Sequence, residues 1–308
     1  MSSSTRRMDP WRVSLHGGHS GSYCDHATGT LREILEAAVV EGYATFGVSE
    51  HVPRPTEFLY PEEIALGWNA DLLKSKFDDY TMDIQSLQVE FKDKLNILKG
   101  FEAEVVPTST YESEMLSIRS KTLQDGSQAF DYFVGSVHYV DGMQIDGSVS
   151  AFKEAVDVCG GLETLAEHYY VTIAQMVLSL KPEIVGHFDL IKKNAIKSRQ
   201  DRAVYESKRV IDAAVNALEA VKSTGAVLDL NTAGWRKGLG EPYPAPWVVD
   251  MAKEMEIPFC FGDDSHNSAQ VGDGINDARL YLIENGVDYI CTYDRTYSGL
   301  EKRIIGLK

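Results

Sequence analysis

Short apolar runs rich in β-branched and aromatic residues recur along the chain, and stretches with helical periodicity separate them. The runs cover residues 12–15, 43–49, 95–105, 130–140, 183–187, 226–231, 258–262 and 287–292, about eight strand candidates in all. Between the first two, Thr30 and Glu33 form a T-x-x-E capping box that opens a helix running to about Glu41. A second helix is predicted over 72–91, a third behind a Ser109 and Glu112 cap, and one or two more within 151–179. Residues 53–70 carry Pro53, Pro55 and Pro61 and read as an irregular lid or loop. Strand and helix in alternation predict a parallel α/β fold.

The polar residues that end these runs are of one chemical kind. TFGVSEH, NILKGFE, YFVGSVH, EIVGHFD and PFCFGDDSH each pass from an apolar stretch into His, Glu or Asp. In a barrel of parallel strands the carboxyl ends converge on one mouth, so side chains placed there meet. The candidates for a multinuclear metal site are His16, His19, His26, His51, Glu102, His138, His187, Asp264 and His266. Imidazole and carboxylate together suit zinc, iron or manganese, in a site of two to three divalent ions.

Composition narrows the class further. The chain has 308 residues, 44% of them hydrophobic, which is enough for one large barrel domain over 1–308, with 1–10 as a flexible N-terminal extension. There is no long uninterrupted apolar run for a membrane span and no apolar segment behind the N-terminal MSSSTRRMDPWR for a signal peptide, so a cytoplasmic protein is expected. Cys24, Cys159, Cys260 and Cys291 form no CxxC pair and read as small buried hydrophobes, with Cys24 set apart by its place between His19 and His26. A formal charge of −16 without a basic run argues against nucleic acid, while leaving room for a small phosphorylated substrate.

LHGGHSGSYCDHA, SEHVPR, GFEAE, GSVHY, VGHFDL, LDLNTAGWRKGLGEPYP and FGDDSH, in that order, resemble the successive motifs of the PHP (polymerase and histidinol phosphatase) family, in its histidinol-phosphatase branch. The resemblance implies a distorted (β/α)7 TIM-like barrel with a trinuclear metal centre at the carboxyl ends of the strands. It implies one ion held by His16, His19, Glu102 and Asp264, a second shared by Glu102 with His138 and His187, and a third held by His26, His51 and His266. It further implies hydrolysis of L-histidinol phosphate in histidine biosynthesis. The alternatives are another phosphoesterase of the same scaffold and a non-catalytic metal-binding domain.

One motif departs from the family pattern. The usual His-x-His is here H-G-G-H, with Gly17 two residues before His19, and in a regular strand that offset moves His16 to the other face. A bulge or turn at the glycine pair, using dihedrals open to glycine, is expected to return His16 to the mouth. Of the two aspartates in D-D-S-H, Asp264 is favoured over Asp263 because Asp-x-His places both side chains on one side of an extended segment. His168, inside a helical stretch with no motif around it, reads as a hydrogen-bonding or exposed residue.

For the substrate, Arg236 and Lys237 in the Gly-rich loop, then Lys193 and Arg54, are candidate phosphate ligands. Glu50 and Glu241 are candidates for a cationic group, Glu50 also as a partner of His51. No Ser or Cys nucleophile is needed. The chemistry expected is in-line attack of a metal-bridging hydroxide, with Glu102, Asp264 and His266 in catalytic roles and Asp264 or a histidine protonating the leaving alkoxide.

Overall fold

In the computed structural model, residues 9–200, 206–296 and 299–308 are described, so residues 1–8 of the expected N-terminal extension lie outside the described residues. The strands are β1 (Val13–Ser14), β2 (Thr45–His51), β3 (Asn96–Ala103), β4 (Val134–Gly135), β5 (Tyr139–Val140), β6 (Met143–Gln144), β7 (Ile184–Val185), β8 (Val227–Asn231), β9 (Phe259–Gly262), β10 (Tyr289–Thr296) and β11 (Gly299–Gly306). Seven of them form one parallel sheet in the order β1-β2-β3-β4-β7-β8-β9. Its edges meet where His16 bridges Gly262 in parallel, with Leu15 N–H donating to the Phe261 carbonyl at 2.8 Å and Asp264 N–H to the His16 carbonyl at 2.9 Å. The product is a nearly closed (β/α)7 barrel, as the alternation and the family resemblance predict.

Register sets the mouth. His51 pairs with Glu102, and Glu102 with Val134, so the ends of β2 and β3 stand level. Below them the interior is narrow and filled by the Tyr132 ring, whose hydroxyl donates to the Leu15 carbonyl at 2.7 Å. A Cβ at Gly47 or Gly100 would lie 2.2 Å or 2.5 Å from that ring system, so β2 and β3 carry no side chain there because another already occupies the space.

The eighth strand candidate is not a barrel strand. β10 pairs antiparallel with β11, and Cys291 and Tyr293, two residues apart on one face, pack on Leu15, Leu98, Ile184, Val227 and Cys260 at the amino end of the barrel. The hairpin thus closes the end opposite the mouth. The expected 130–140 strand is interrupted as well: after β4 the chain turns back at β5 to pair with β6.

The Thr30 box forms as predicted, with Glu33 N–H donating to the Thr30 hydroxyl at 3.3 Å and Thr30 N–H to the Glu33 carboxylate at 2.7 Å. The expected Ser109 cap does not. Helix Tyr111–Arg119 begins after Thr110, whose hydroxyl bonds Glu114 instead of a backbone N–H. The 53–70 segment holds a short 3-10 turn (Thr56–Phe58) and a helix (Pro61–Ala65). No helix among the described residues is long and apolar enough to cross a membrane.

Candidate metal centre

Glu102, 2% exposed, stands at the centre of the mouth. Its Oε1 lies 3.1 Å from His187 Nε2, 3.4 Å from His16 Nε2 and 3.6 Å from His138 Nε2; its Oε2 lies 2.9 Å from His51 Nδ1 and 3.6 Å from His19 Nε2. One carboxylate therefore faces five imidazoles, three on one oxygen and two on the other. Asp264 Oδ1 is 3.4 Å from His19 Nε2, 4.0 Å from His16 Nε2 and 3.8 Å from His266 Nδ1. His26 is at the rim, its ring centroid 5.3 Å from that of His51 and 4.9 Å from that of His266. All nine residues proposed from the sequence converge on this mouth.

The groupings differ in detail from those the family resemblance implies. Ligand atoms close enough to share an ion occur in the sets His16, Glu102 and His187; His16, His19 and Asp264; His19, His51 and His266; and Cys24, His26 and His51. His16 thus stands between two positions, and His19 joins His51 and His266. Cys24 Sγ lies 3.2 Å from His26 Nδ1, so this cysteine borders the cluster instead of simply filling core.

His16 reaches the mouth for a different reason from the one expected. The regular strand stops at Ser14 and His16 keeps a single bridge, so strict alternation no longer applies. Neither Gly17 nor Gly18 takes a left-handed φ; they are small because a Cβ would lie 2.4 Å from the Gly47 carbonyl oxygen at Gly17 and 2.5 Å from Ile34 at Gly18. Asp264 is likewise the aspartate that faces the cluster, but for another reason. Its φ of 45° is left-handed, not extended, and turns its carboxylate inward, while Asp263 turns away to accept from Tyr43 Oη at 3.1 Å and Gly272 N–H at 2.9 Å. His187 shares the unusual backbone, with φ 22°. Two strained residues inside one cluster fit a site that the surrounding fold over-determines.

Two orienting carboxylates escaped the sequence reading. Asp229 Oδ2 lies 2.7 Å from His16 Nδ1 and accepts from Asn231 Nδ2 at 2.9 Å. Glu104 Oε2 lies 2.7 Å from His138 Nδ1. The signal was there in the alternation, because Asp229 shares a face with the strand-end Asn231, and Glu104 stands two residues past Glu102. Glu50 is buried beside His19, its Oε2 3.7 Å from His19 Nδ1 and its Oε1 accepting from Ser20 N–H at 2.8 Å. It therefore partners His19, not His51, and does not face the cavity.

The electrostatics call for cations. Burial alone would raise the Glu102 pKa, but His16, His138 and His51 hold it well below the carboxylate range. Burial opposes protonation of His138 and His19, yet Glu104 and Glu102 in the first case, and Asp264 and Glu50 in the second, carry each up to about 9. Burial and the neighbouring His19 push His51 and His266 well down. Protons therefore satisfy only part of the cluster. His16 Nε2, both ring nitrogens of His19, His51 Nε2 and His187 Nδ1 are buried without a hydrogen-bond partner, which is costly unless something coordinates them. Neutral imidazoles with spare nitrogens around carboxylates fit borderline transition metals.

A cavity of about 480 Å³ opens above the cluster. Lys193, Arg236 and Lys237 line it, as do Asp25, Glu62 and Asp146. Lys237 Nζ is 3.6 Å from Asp264 Oδ2, and Lys193 Nζ is 3.8 Å from Asp146 Oδ2. Arg236 donates to the Thr232 hydroxyl at 3.0 Å and to the carbonyls of Asp263 and Asp264, so it also fixes the backbone that aims Asp264.

Three expected substrate contacts lie elsewhere. Arg54 is buried, donates to Glu63 at 2.7 Å and stacks 3.9 Å over Tyr60, tying the 53–70 segment together. Glu241 accepts from the buried Lys192 at 2.9 Å, and neither it nor Glu50 lines the cavity. Lys and Arg beside apolar walls find internal carboxylates when the fold buries them, and linear sequence does not reveal which ones.

A nearly closed parallel barrel with a buried His and carboxylate cluster at the carboxyl ends of its strands defines a metal-binding α/β-barrel protein. The PHP domain model matches residues 16–233, and the chain belongs to the PHP domain family. It is 32% identical over 289 residues to the protein named "Probable histidinol-phosphatase" of Schizosaccharomyces pombe, covering 93% of this chain and 91% of that one. The crystal structure of the hisK protein of Listeria monocytogenes superposes with a TM-score of 0.73 at 25% identity, over 86% of this chain and 99% of that one. Histidinol phosphate phosphatase of Lactococcus lactis, crystallised with zinc, L-histidinol and phosphate, has the same fold, with a TM-score of 0.67 at 19% identity over 94% of this chain and 99% of that one.

Proposed function

We propose that the chain is a metal-dependent phosphomonoesterase that hydrolyses L-histidinol phosphate to L-histidinol and phosphate. The observation that carries the proposal is the pairing of a nine-residue His and carboxylate cluster with a cavity lined by both cations, Lys193, Arg236 and Lys237, and acids, Asp25, Glu62 and Asp146. The names of the relatives support the same substrate. We assign two to three divalent ions, zinc, iron or manganese, to His16, His19, His26, His51, Glu102, His138, His187, Asp264 and His266, with zinc favoured by the Lactococcus lactis complex. Bound ions supply a hydroxide nucleophile near neutral pH and offset the charge of the phosphoryl oxygens.

The chain's own residues do the rest. Glu102 holds the two halves of the cluster at a fixed separation, with Asp229 and Glu104 fixing the rings of His16 and His138. Lys237 and Lys193 attract the phosphate as point charges, and Arg236 adds a third cation while steadying the Asp264 backbone. We assign protonation of the leaving alkoxide to water at the edge of the cluster where Asp264 and His266 stand beside Lys237, since both side chains are held in their unprotonated forms. In place of Glu50 and Glu241, Glu62, Asp25 and Asp146 meet the amine and imidazole of the substrate. We place the protein in the cytoplasm, where its four free cysteines stay reduced.

The test compares kcat/KM on L-histidinol phosphate with that on p-nitrophenyl phosphate, which lacks the amine. A preference for the amine-bearing ester, diminished in Glu62→Gln or Asp25→Asn, is expected. Equal rates on both esters would reduce the reading to a general phosphoesterase of the same family.

A further inference from the structure

Outside the barrel mouth, three side chains that bind metals elsewhere in biology meet on the protein surface. Asp141, Cys159 and His168 each present a ligand atom within 4.8 Å of the other two. They come from three successive elements of one stretch of the chain. Asp141 sits in the two-residue turn between β5 and β6, Cys159 ends helix Val149–Val158, and His168 lies on helix Leu162–Leu180.

We propose that Asp141, Cys159 and His168 form a second, independent zinc site that clamps the β5–β6 hairpin to this helix pair. The donor set is one thiolate, one imidazole and one carboxylate, a borderline-soft combination that suits zinc and excludes calcium or magnesium. Three protein ligands leave a fourth, solvent-facing position for water, and the side chains of His168 and Asp141 are 43% and 56% exposed, which gives that water access.

Local structure presets two of the three donors. Asp141 and Gly142 have φ of 51° and 77°, the paired left-handed conformation of a tight hairpin turn, so the Asp141 backbone is fixed. The Asp141 carboxylate already lies 2.7 Å from His168 Nδ1. Cys159 is anchored by its N–H, which donates to the Ala155 carbonyl at 3.0 Å, and it is partly exposed, whereas Cys24, Cys260 and Cys291 are buried. A tetrahedral ion needs donor atoms about 3.3 to 3.5 Å apart. From within 4.8 Å, half-exposed side chains reach that spacing by movements on the order of 1 Å, within an ordinary change of rotamer.

The clamp has a consequence for the mouth. β6 ends at Gln144, and the chain goes on to Asp146 and Gly147; all three line the catalytic cavity. An ion on the outer side of the hairpin fastens the strand that carries this wall.

The test strips the exposed site of the purified full chain with a mild chelator that leaves the buried barrel ions in place, then adds cobalt(II) chloride and follows thiolate-to-cobalt charge-transfer absorption in the near ultraviolet. Saturation near about one equivalent is expected. Cys159→Ser abolishes the band, and His168→Ala or Asp141→Asn weakens cobalt affinity by about tenfold or more. Cys24→Ser and Glu102→Ala leave it in place, which separates this site from the barrel cluster. Absence of a thiolate band in the unaltered protein overturns the proposal, and so does a band that survives Cys159→Ser or disappears in Cys24→Ser.

Discussion

The two ends of the barrel are built from the same strands and could hardly differ more. On β3 the inward positions run Leu98, Gly100, Glu102 from the amino end to the mouth: an apolar side chain, no side chain, and a carboxylate. On β8 the same climb is Val227, Asp229, Asn231, and on β9 it is Cys260, Gly262 and then Asp264 just past the strand. At the amino end Leu98, Val227 and Cys260 pack with Tyr132 and the β10–β11 hairpin, and apolar contact is all that is asked of them. At the mouth, buried nitrogens lack partners and two residues adopt left-handed backbones. Folding free energy is gathered at one end and spent on a polar cluster at the other, which is why one scaffold can keep its stability and its chemistry on separate residues.

The largest expected effect breaks the mouth alone. Glu102→Ala removes the carboxylate shared by five histidines, so phosphatase activity should fall by about a thousandfold or more, with most bound metal lost. Elemental analysis beside the rate measurement checks this, and full metal occupancy in the variant would refute the assignment of Glu102.

The amino end should respond in the opposite currency. Leu98→Ala leaves a cavity beside Tyr132 and should lower stability by about 2 to 5 kcal/mol in denaturant unfolding, while kcat/KM at 25 °C stays close to that of the unaltered protein. A large loss of activity with intact folding would show that the two ends are coupled.

Smaller effects sharpen the boundary. Asp229→Asn keeps its shape but weakens the hold on His16 Nδ1, so metal affinity should drop by about ten- to a hundredfold, and a binding titration decides it. Arg236→Ala should reduce kcat/KM by about tenfold, near 1.4 kcal/mol, because the guanidinium already serves Thr232 and two carbonyls as well as the cavity. Arg236→Lys should recover only part of this, since an ammonium cannot span the same acceptors.

The sequence by itself determined the barrel and its ligand set. Strand-length apolar runs ending in His, Glu or Asp say that successive strands deliver metal-competent groups to one mouth, the family resemblance sets their number at seven, and the Thr30 capping box fixes a helix start locally. These features are legible because they depend on period-two alternation and on near neighbours. Tertiary structure decided what depends on residues far apart in sequence. It placed 287–292 in a hairpin under the barrel, because Cys291 and Tyr293 complete an apolar end left open by seven strands. It gave Arg54 to Glu63, Glu241 to Lys192 and Glu50 to His19, since a buried charge takes whichever partner the fold brings within reach. It made Gly17 and Gly18 necessary for space and not for dihedral freedom, because only packing shows what a Cβ would strike. Asp229 shows the limit most clearly: alternation pointed it inward, but its importance comes from His16, 213 residues away, and that distance is closed only when β1 and β9 meet.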